Sequence, residues 1–306
     1  MLKNCSKRWK KRSEGERLKK CPSIGLALGS GGARGFAHIT LLETLHEMGM
    51  NVSFLSGSSM GAVVAAAYAL HPDPRVLKRM TRHFLDVFRD RIHELINNVQ
   101  ANVALRKRIV FLTRLVNSIS LDHSDFLYSS LSRIFGKARF SDCKIPCVVV
   151  AASLKGELVT LDEGYIVDAV AASASVPGAF PPIRLGGEWL VDGGVISVIP
   201  VSAVKKLGAD VVIASHVGYA SFKRGFTDVL DYAIHLDDIK GEILANEEMK
   251  EADVVACFRN IKVPWYRFDL AENIMENARR VLEEQNFHNK LINAMQTRPS
   301  EKAVKT

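Results

Sequence analysis

Cysteine is scarce in this chain of 306 residues, and the five present (Cys5, Cys21, Cys143, Cys147 and Cys257) are scattered. An odd, sparse set excludes a disulfide scaffold and fits a reducing compartment. Cys143 and Cys147 have no second pair and no histidine cluster beside them, so no zinc site is expected. Long apolar runs are also missing. The longest charge-free stretch, residues 48–72, is interrupted by Asn51, four serines and several glycines. It reads as strand, turn and helix rather than a membrane span. No apolar run follows the charged start until Ile24, which argues against a secretory signal. Aromatic residues are only 8%, and no basic sheet studded with them, nor any finger spacing, points to nucleic acid.

Basic charge is plentiful but concentrated. The net charge is +8, and residues 1–20 hold nine Lys or Arg against Glu14 and Glu16. The remainder is close to neutral, so the charge says little about a substrate. Residues 1–22 are expected to form a disordered basic segment. The plain reading is a solvated leader, and the sharper one is attraction to anionic lipid.

With 47% hydrophobic residues, the rest is long enough for one large α/β domain. Buried-strand runs recur at SIGLALGS, NVSFLS, CVVVAAS and ADVVIASHVG, with Asp253 to Phe258 as a final strand. Two hairpins follow CVVVAAS, one turning at Gly156 and one ending at Asp192. Helical patterns fill the spaces between: the segment from Phe36 capped by Gly49, AVVAAAYAL, Ala169 onward, Pro200 onward, Thr227 to Lys250 and Asn273 to Gln296. This alternation predicts an α/β fold with a mostly parallel sheet covered on both faces. Residues 75–140 read as a helical region. Its 104–120 stretch is a basic amphipathic helix, which either packs its apolar stripe on the core or docks on lipid.

Three Gly-rich points stand at strand ends, where open α/β sheets bind ligands. GSSMG, Gly57 to Gly61, lies between a strand and a helix and describes a nucleophile elbow. Ser59 is the candidate nucleophile, and Gly57 and Gly61 supply the room such a turn needs. GSGGARG, Gly29 to Gly35, offers backbone N–H groups at Gly31 and Gly32 for an oxyanion. The N–H of Met60 adds a third donor. Arg34 is expected to anchor that loop. Asp192, held at a strand end by Gly193 and Gly194, is the candidate proton acceptor. Without the other two motifs, Asp-Gly would read as an ordinary hairpin turn. A Ser-Asp-His triad is the competing arrangement, with His216 best placed and His235 and His288 further on, whereas His38, inside the first helix, is expected to pack there.

The order GSGGARGFAHI, GSSMG, ASASVPGAFPPI and DGG resembles the patatin-like phospholipase family, over roughly Ile24 to Gly218. The resemblance implies a three-layer α/β/α fold with a mostly parallel central sheet and a Ser-Asp dyad without catalytic histidine, hydrolysing acyl esters of phospholipids, lysophospholipids or neutral lipids. Carried over, Ser59 matches the nucleophile, Asp192 the dyad aspartate, Gly31 and Gly32 the oxyanion glycines and Arg34 the basic residue after them. Ser30 departs from the uninterrupted glycine run of many members. The resemblance implies no cofactor and no metal.

The expected architecture is an acyl hydrolase domain at 23–296, with 75–140 forming a substrate groove or lid, and a frayed tail at 297–306. The expected location is cytoplasmic, with peripheral membrane contact through the basic N-terminus or the 104–120 helix. Two other functions compete with this reading. A dinucleotide site at Gly29-x-Gly31 fails because the third glycine, Gly35, falls one residue late. A lipid-binding protein that kept the fold without the activity is the remaining alternative.

Overall fold

The computed structural model describes residues 21–87, 90, 124–218 and 229–297. The basic segment at 1–20, the 104–120 stretch and most of the expected groove or lid lie outside the described residues. In chain order the elements are β1 (Ile24–Leu28), α1 (Ala37–Glu47), β2 (Val52–Ser58), α2 (Met60–Leu70), α3 (Pro74–Val87) and α4 (Ser124–Phe135). They continue with β3 (Cys147–Ser153), β4 (Leu158–Leu161), α5 (Ile166–Ser173), β5 (Ile183–Leu185), β6 (Glu188–Asp192) and α6 (Val201–Lys206). The last are β7 (Val211–His216), α7 (Val229–Lys250), β8 (Val254–Cys257), α8 (Ala271–Glu284) and α9 (Phe287–Thr297).

β1 lies at the centre, parallel to β2 on one side and to β7 on the other. All five of its residues are buried, as a strand covered on both faces requires. Side chains alternate between the faces. Leu26, Leu55, Val149 and Ile213 pack into a core shared with α1, α2, α5 and α8. Ala27, Val212 and Ala214 pack on the opposite face with Val201 and Val204 of α6 and Ala245 of α7. These are the three layers. β2–β3 and β7–β8 are also parallel, whereas β4, β5 and β6 join through antiparallel pairs.

Several element ends differ from the sequence pattern. A short 3-10 turn, Gly32–Phe36, precedes α1, so the regular helix begins at Ala37 rather than Phe36. α5 starts at Ile166, ahead of the Ala-rich run that signals it. The single helical stretch read at Asn273–Gln296 is two helices. Asn286 between them has φ of 52°, a left-handed residue that no helix interior accommodates and that Asn tolerates better than most. Gly49 does end α1: at φ of 68° it donates its N–H to the His46 carbonyl at 3.0 Å.

Candidate active site

The pairing of β3 decides where the candidate residues meet. β2 pairs with Cys147–Val150, and β6 pairs with Ala151–Ser153. β4 pairs with Val149–Ala152, overlapping both partners. A strand residue has only two edges, so β2 and β6 share the edge opposite β4. They run towards each other along it. Ser58 stands opposite Val150 and Asp192 opposite Ala151, the next residue. The carboxyl ends of two strands distant in sequence, at Ser58 and Asp192, thus abut on adjacent residues of a third. Gly193 makes the approach feasible. A Cβ there would lie 2.4 Å from the Val150 carbonyl oxygen and 2.7 Å from Ser58 Oγ.

Ser59 follows β2 on a sharp turn, with φ of 54° and ψ of −121°. Only Asn286 shares a positive φ among the described non-glycine residues. Such a conformation costs on the order of 1–3 kcal/mol and persists where neighbours enforce it. Here they do. The Ser59 carbonyl accepts the first bonds of α2 from Ala62 at 2.9 Å and Val63 at 3.2 Å. Its N–H donates to Ser173 Oγ at 2.9 Å. A side chain at Gly57 would collide with Ala62 backbone, and one at Gly61 would stand 2.1 Å from the Leu28 carbonyl oxygen. The helix therefore sits directly on the strand ends. Met60 opens α2, so its N–H has no intrahelical acceptor.

The glycine loop crosses beside this turn. Gly29 N–H is taken by the Ser215 carbonyl (3.0 Å), Ser30 N–H by Val198 (2.9 Å) and Ala33 N–H by Trp265 (2.7 Å). The N–H groups of Gly31 and Gly32 carry no such bond among the described residues. Arg34 is buried and donates from Nε to the Gly31 carbonyl at 3.1 Å. That carbonyl and the Gly32 N–H belong to one planar peptide unit and point in opposite directions. Holding the carbonyl therefore aims the N–H.

Asp192 is buried. Its N–H donates to the Ser175 carbonyl at 3.0 Å, and its Oδ1 accepts from Gly194 N–H at 2.7 Å. Oδ2 has no closed hydrogen bond among the described residues. Burial pushes the carboxyl pKa up to about 6, against the opposing pull of the Ser59 hydroxyl and the Gly194 N–H.

Two of the histidines, His216 and His38, bond elsewhere. His216 is buried, with Nε2 3.1 Å from Glu242 and Nδ1 accepting from Gly218 N–H at 3.4 Å. His38 spends both nitrogens on Ser215 and the Gly29 carbonyl. His235 and His288 lie in α7 and α9. Among the described residues, no group of three His, Cys, Asp or Glu is placed to hold a metal ion. Ser173, Ser175, His38 and Trp265 were not singled out as site residues from the sequence. The small-residue run ASAS was the available signal for the first two, and its packing role masked their polar one.

A family model described as patatin-like phospholipase matches residues 26–205. An uncharacterized NTE family protein of Mycobacterium tuberculosis is 29% identical over 194 residues, covering 63% of this chain and 48% of its own. The lysophospholipase nte1 of Neurospora crassa is 30% identical over 198 residues, covering 64% of this chain and 12% of its own. The matched region is thus less than half of either relative's length. Among solved structures, human GIVD cytosolic phospholipase A2 superposes with a TM-score of 0.49 at 13% identity, over 95% of this chain and 62% of that one.

Proposed function

The chain belongs to the patatin-like phospholipase family, and from that premise we propose that it is a serine hydrolase of lipid acyl esters working through Ser59 and Asp192. The observation that carries this reading is the abutment of the end of β2 at Ser58, the residue before Ser59, and of Asp192 on adjacent positions of β3, with both ring nitrogens of His38 and His216 engaged elsewhere.

In the proposed reaction, Ser59 Oγ attacks the ester carbonyl carbon and its proton passes to Asp192. The carbonyl oxygen becomes an oxyanion facing the N–H groups of Gly31, Gly32 and Met60. Collapse breaks the bond to the leaving alkoxy group, which takes the proton from Asp192. Water then enters and attacks the acyl-serine carbonyl carbon as Asp192 takes its proton; collapse breaks the bond to Ser59 Oγ, which takes that proton back from Asp192, and the fatty acid is released. A carboxyl pKa of about 6 suits this role, because it is ionised at neutral pH yet more basic than an ordinary aspartate. Arg34 acts by aiming the Gly32 N–H rather than by touching substrate. The substrate is a phospholipid, lysophospholipid or neutral lipid, and one domain at 23–296 carries the activity. Peripheral contact with lipid is proposed to run through the basic N-terminus and the 104–120 stretch, and no described helix is long and apolar enough to cross a membrane.

The test is a lipid-panel hydrolysis assay of wild type beside Ser59→Ala, with fluorophosphonate labelling. Fatty acid release and a label on Ser59, both lost in the variant, are expected. Undiminished hydrolysis by Ser59→Ala overturns the assignment. An unreactive Ser59 with retained liposome binding favours the non-catalytic lipid-binding alternative.

A further inference from the structure

His38 lies on α1, within the core and fully excluded from solvent. An imidazole there needs a reason, since burial without partners is costly. Its Nε2 is 2.9 Å from the Gly29 carbonyl oxygen and its Nδ1 is 2.8 Å from Ser215 Oγ. The ring closes through a third bond, from Gly29 N–H to the Ser215 carbonyl at 3.0 Å. Every proton in this ring is determined. A carbonyl only accepts, so Nε2 carries the hydrogen. Nδ1 is then a lone pair, and the Ser215 hydroxyl donates to it. Burial lowers the His38 pKa to about 4, with His216 adding to the effect, so the neutral form that the ring requires is the one present at neutral pH.

The Gly29 carbonyl shares a planar peptide unit with the Ser30 N–H, which is itself held by the Val198 carbonyl at 2.9 Å. That unit is therefore gripped at both ends, by His38 and by Val198. The next N–H along the chain is that of Gly31. We propose that His38 is a positioning residue for the oxyanion loop: by holding the Gly29 carbonyl it fixes the peptide plane from which the Gly31 N–H is aimed. Arg34 performs the equivalent task one unit later through the Gly31 carbonyl. The inference rests on the hydrolase reading for its catalytic consequence, although the gripped peptide unit stands on geometry alone.

The experiment compares wild type, His38→Leu, His38→Gln and Ser215→Ala by kcat and KM on a soluble short-chain ester, by fluorophosphonate labelling rate, by thermal melting and by amide hydrogen exchange over residues 29–32. Losing one oxyanion donor costs about 100- to 1,000-fold, so misaiming one should lower kcat and labelling of His38→Leu roughly 10- to 100-fold with KM little changed. His38→Gln keeps an amide donor that reaches the Gly29 carbonyl and should recover most of the loss. Ser215→Ala frees Nδ1 and should give a smaller loss in kcat. If His38→Leu does not fold, His38→Gln and Ser215→Ala carry the comparison. Then a Ser215→Ala kcat within about twofold of wild type counts against the proposal, since general positioning effects exceed that. A His38→Leu variant that loses melting temperature but keeps kcat overturns it, as does a loss that His38→Gln does not recover. If wild type neither hydrolyses nor labels, the hydrolase reading fails separately. In that case unchanged exchange at residues 29–32 in the His38 variants overturns the positioning role, and faster exchange supports it.

Discussion

The backbone N–H of Ser59 ends on the hydroxyl of Ser173, 2.9 Å away and wholly buried. Two residues later, the Ser175 carbonyl takes the N–H of Asp192 at 3.0 Å. The end of α5 therefore grips both members of the proposed dyad and sets the distance between them. Ser173→Ala leaves a buried N–H unsatisfied at a strained residue, which should cost about 1–3 kcal/mol of stability. Relaxation of the turn should lower kcat by roughly 10- to 100-fold, since small displacements of reacting groups are expensive. Ser173→Thr, which keeps the hydroxyl, should do better. Denaturant melts and steady-state kinetics on all three proteins provide the check, and an alanine variant with unchanged kcat would sink the idea.

The raised pKa of Asp192 links activity to stability. The proposed reaction needs the ionised carboxylate, so kcat/KM should rise with pH through about 6 and level off above it. Stability runs the other way. A carboxyl raised from 3.8 to about 6 on folding stabilises the protein fully below pH 3.8 and loses that contribution as pH climbs through 6. Asp192→Asn removes the buried charge. It should lose at least about 100-fold in activity and gain up to about 3 kcal/mol at pH 7.5, with little gain at pH 4. Unfolding midpoints at the two pH values test the sign.

Ser30, the departure from a continuous glycine run, lies against Gly194. A Cβ on Gly194 would come 2.6 Å from Ser30 Oγ and 3.0 Å from Asp192 Oδ1. Gly194→Ala should therefore push on the aspartate and reduce kcat, and Ser30→Gly should relieve it. A double-mutant cycle on kcat/KM is expected to give a coupling of about 1 kcal/mol or more. Purely additive effects would show that the two positions do not meet.

Gly61 and Gly49 offer a contrast. Alanine at 61 meets the Leu28 carbonyl oxygen at 2.1 Å, which is backbone and cannot swing aside. The cost should be at least about 3 kcal/mol, at the upper end of overpacking. Alanine at 49 meets nothing within 4 Å and suffers only from its φ of 68°, about 1–2 kcal/mol. Thermal unfolding of the two variants should separate them clearly.

What the sequence made legible was local. The buried strands, the elbow with its glycines and the two hairpins all carry their signals within a few residues. Asp192 also announced itself through its glycines and the company of two other motifs. The polar contacts that shape the site had no such signature. Ser59 and Ser173 are separated by 114 positions and His38 and Ser215 by 177, so no period or spacing marks either pair. The break at Asn286 was hidden for a different reason, because the apolar stripe continues on both sides of it and periodicity alone favours one helix.

The seam on β3 has a consequence for how activity arises during synthesis. The chain emerges from its N-terminus, and β2 with its serine elbow is made long before β6. Until residue 192 has been added there is no carboxylate to sit opposite Ala151. A nascent or truncated chain ending before Glu188 carries the proposed nucleophile without its proposed base. The proposed lipid-cleaving activity therefore comes into being only once the chain has grown past the second hairpin.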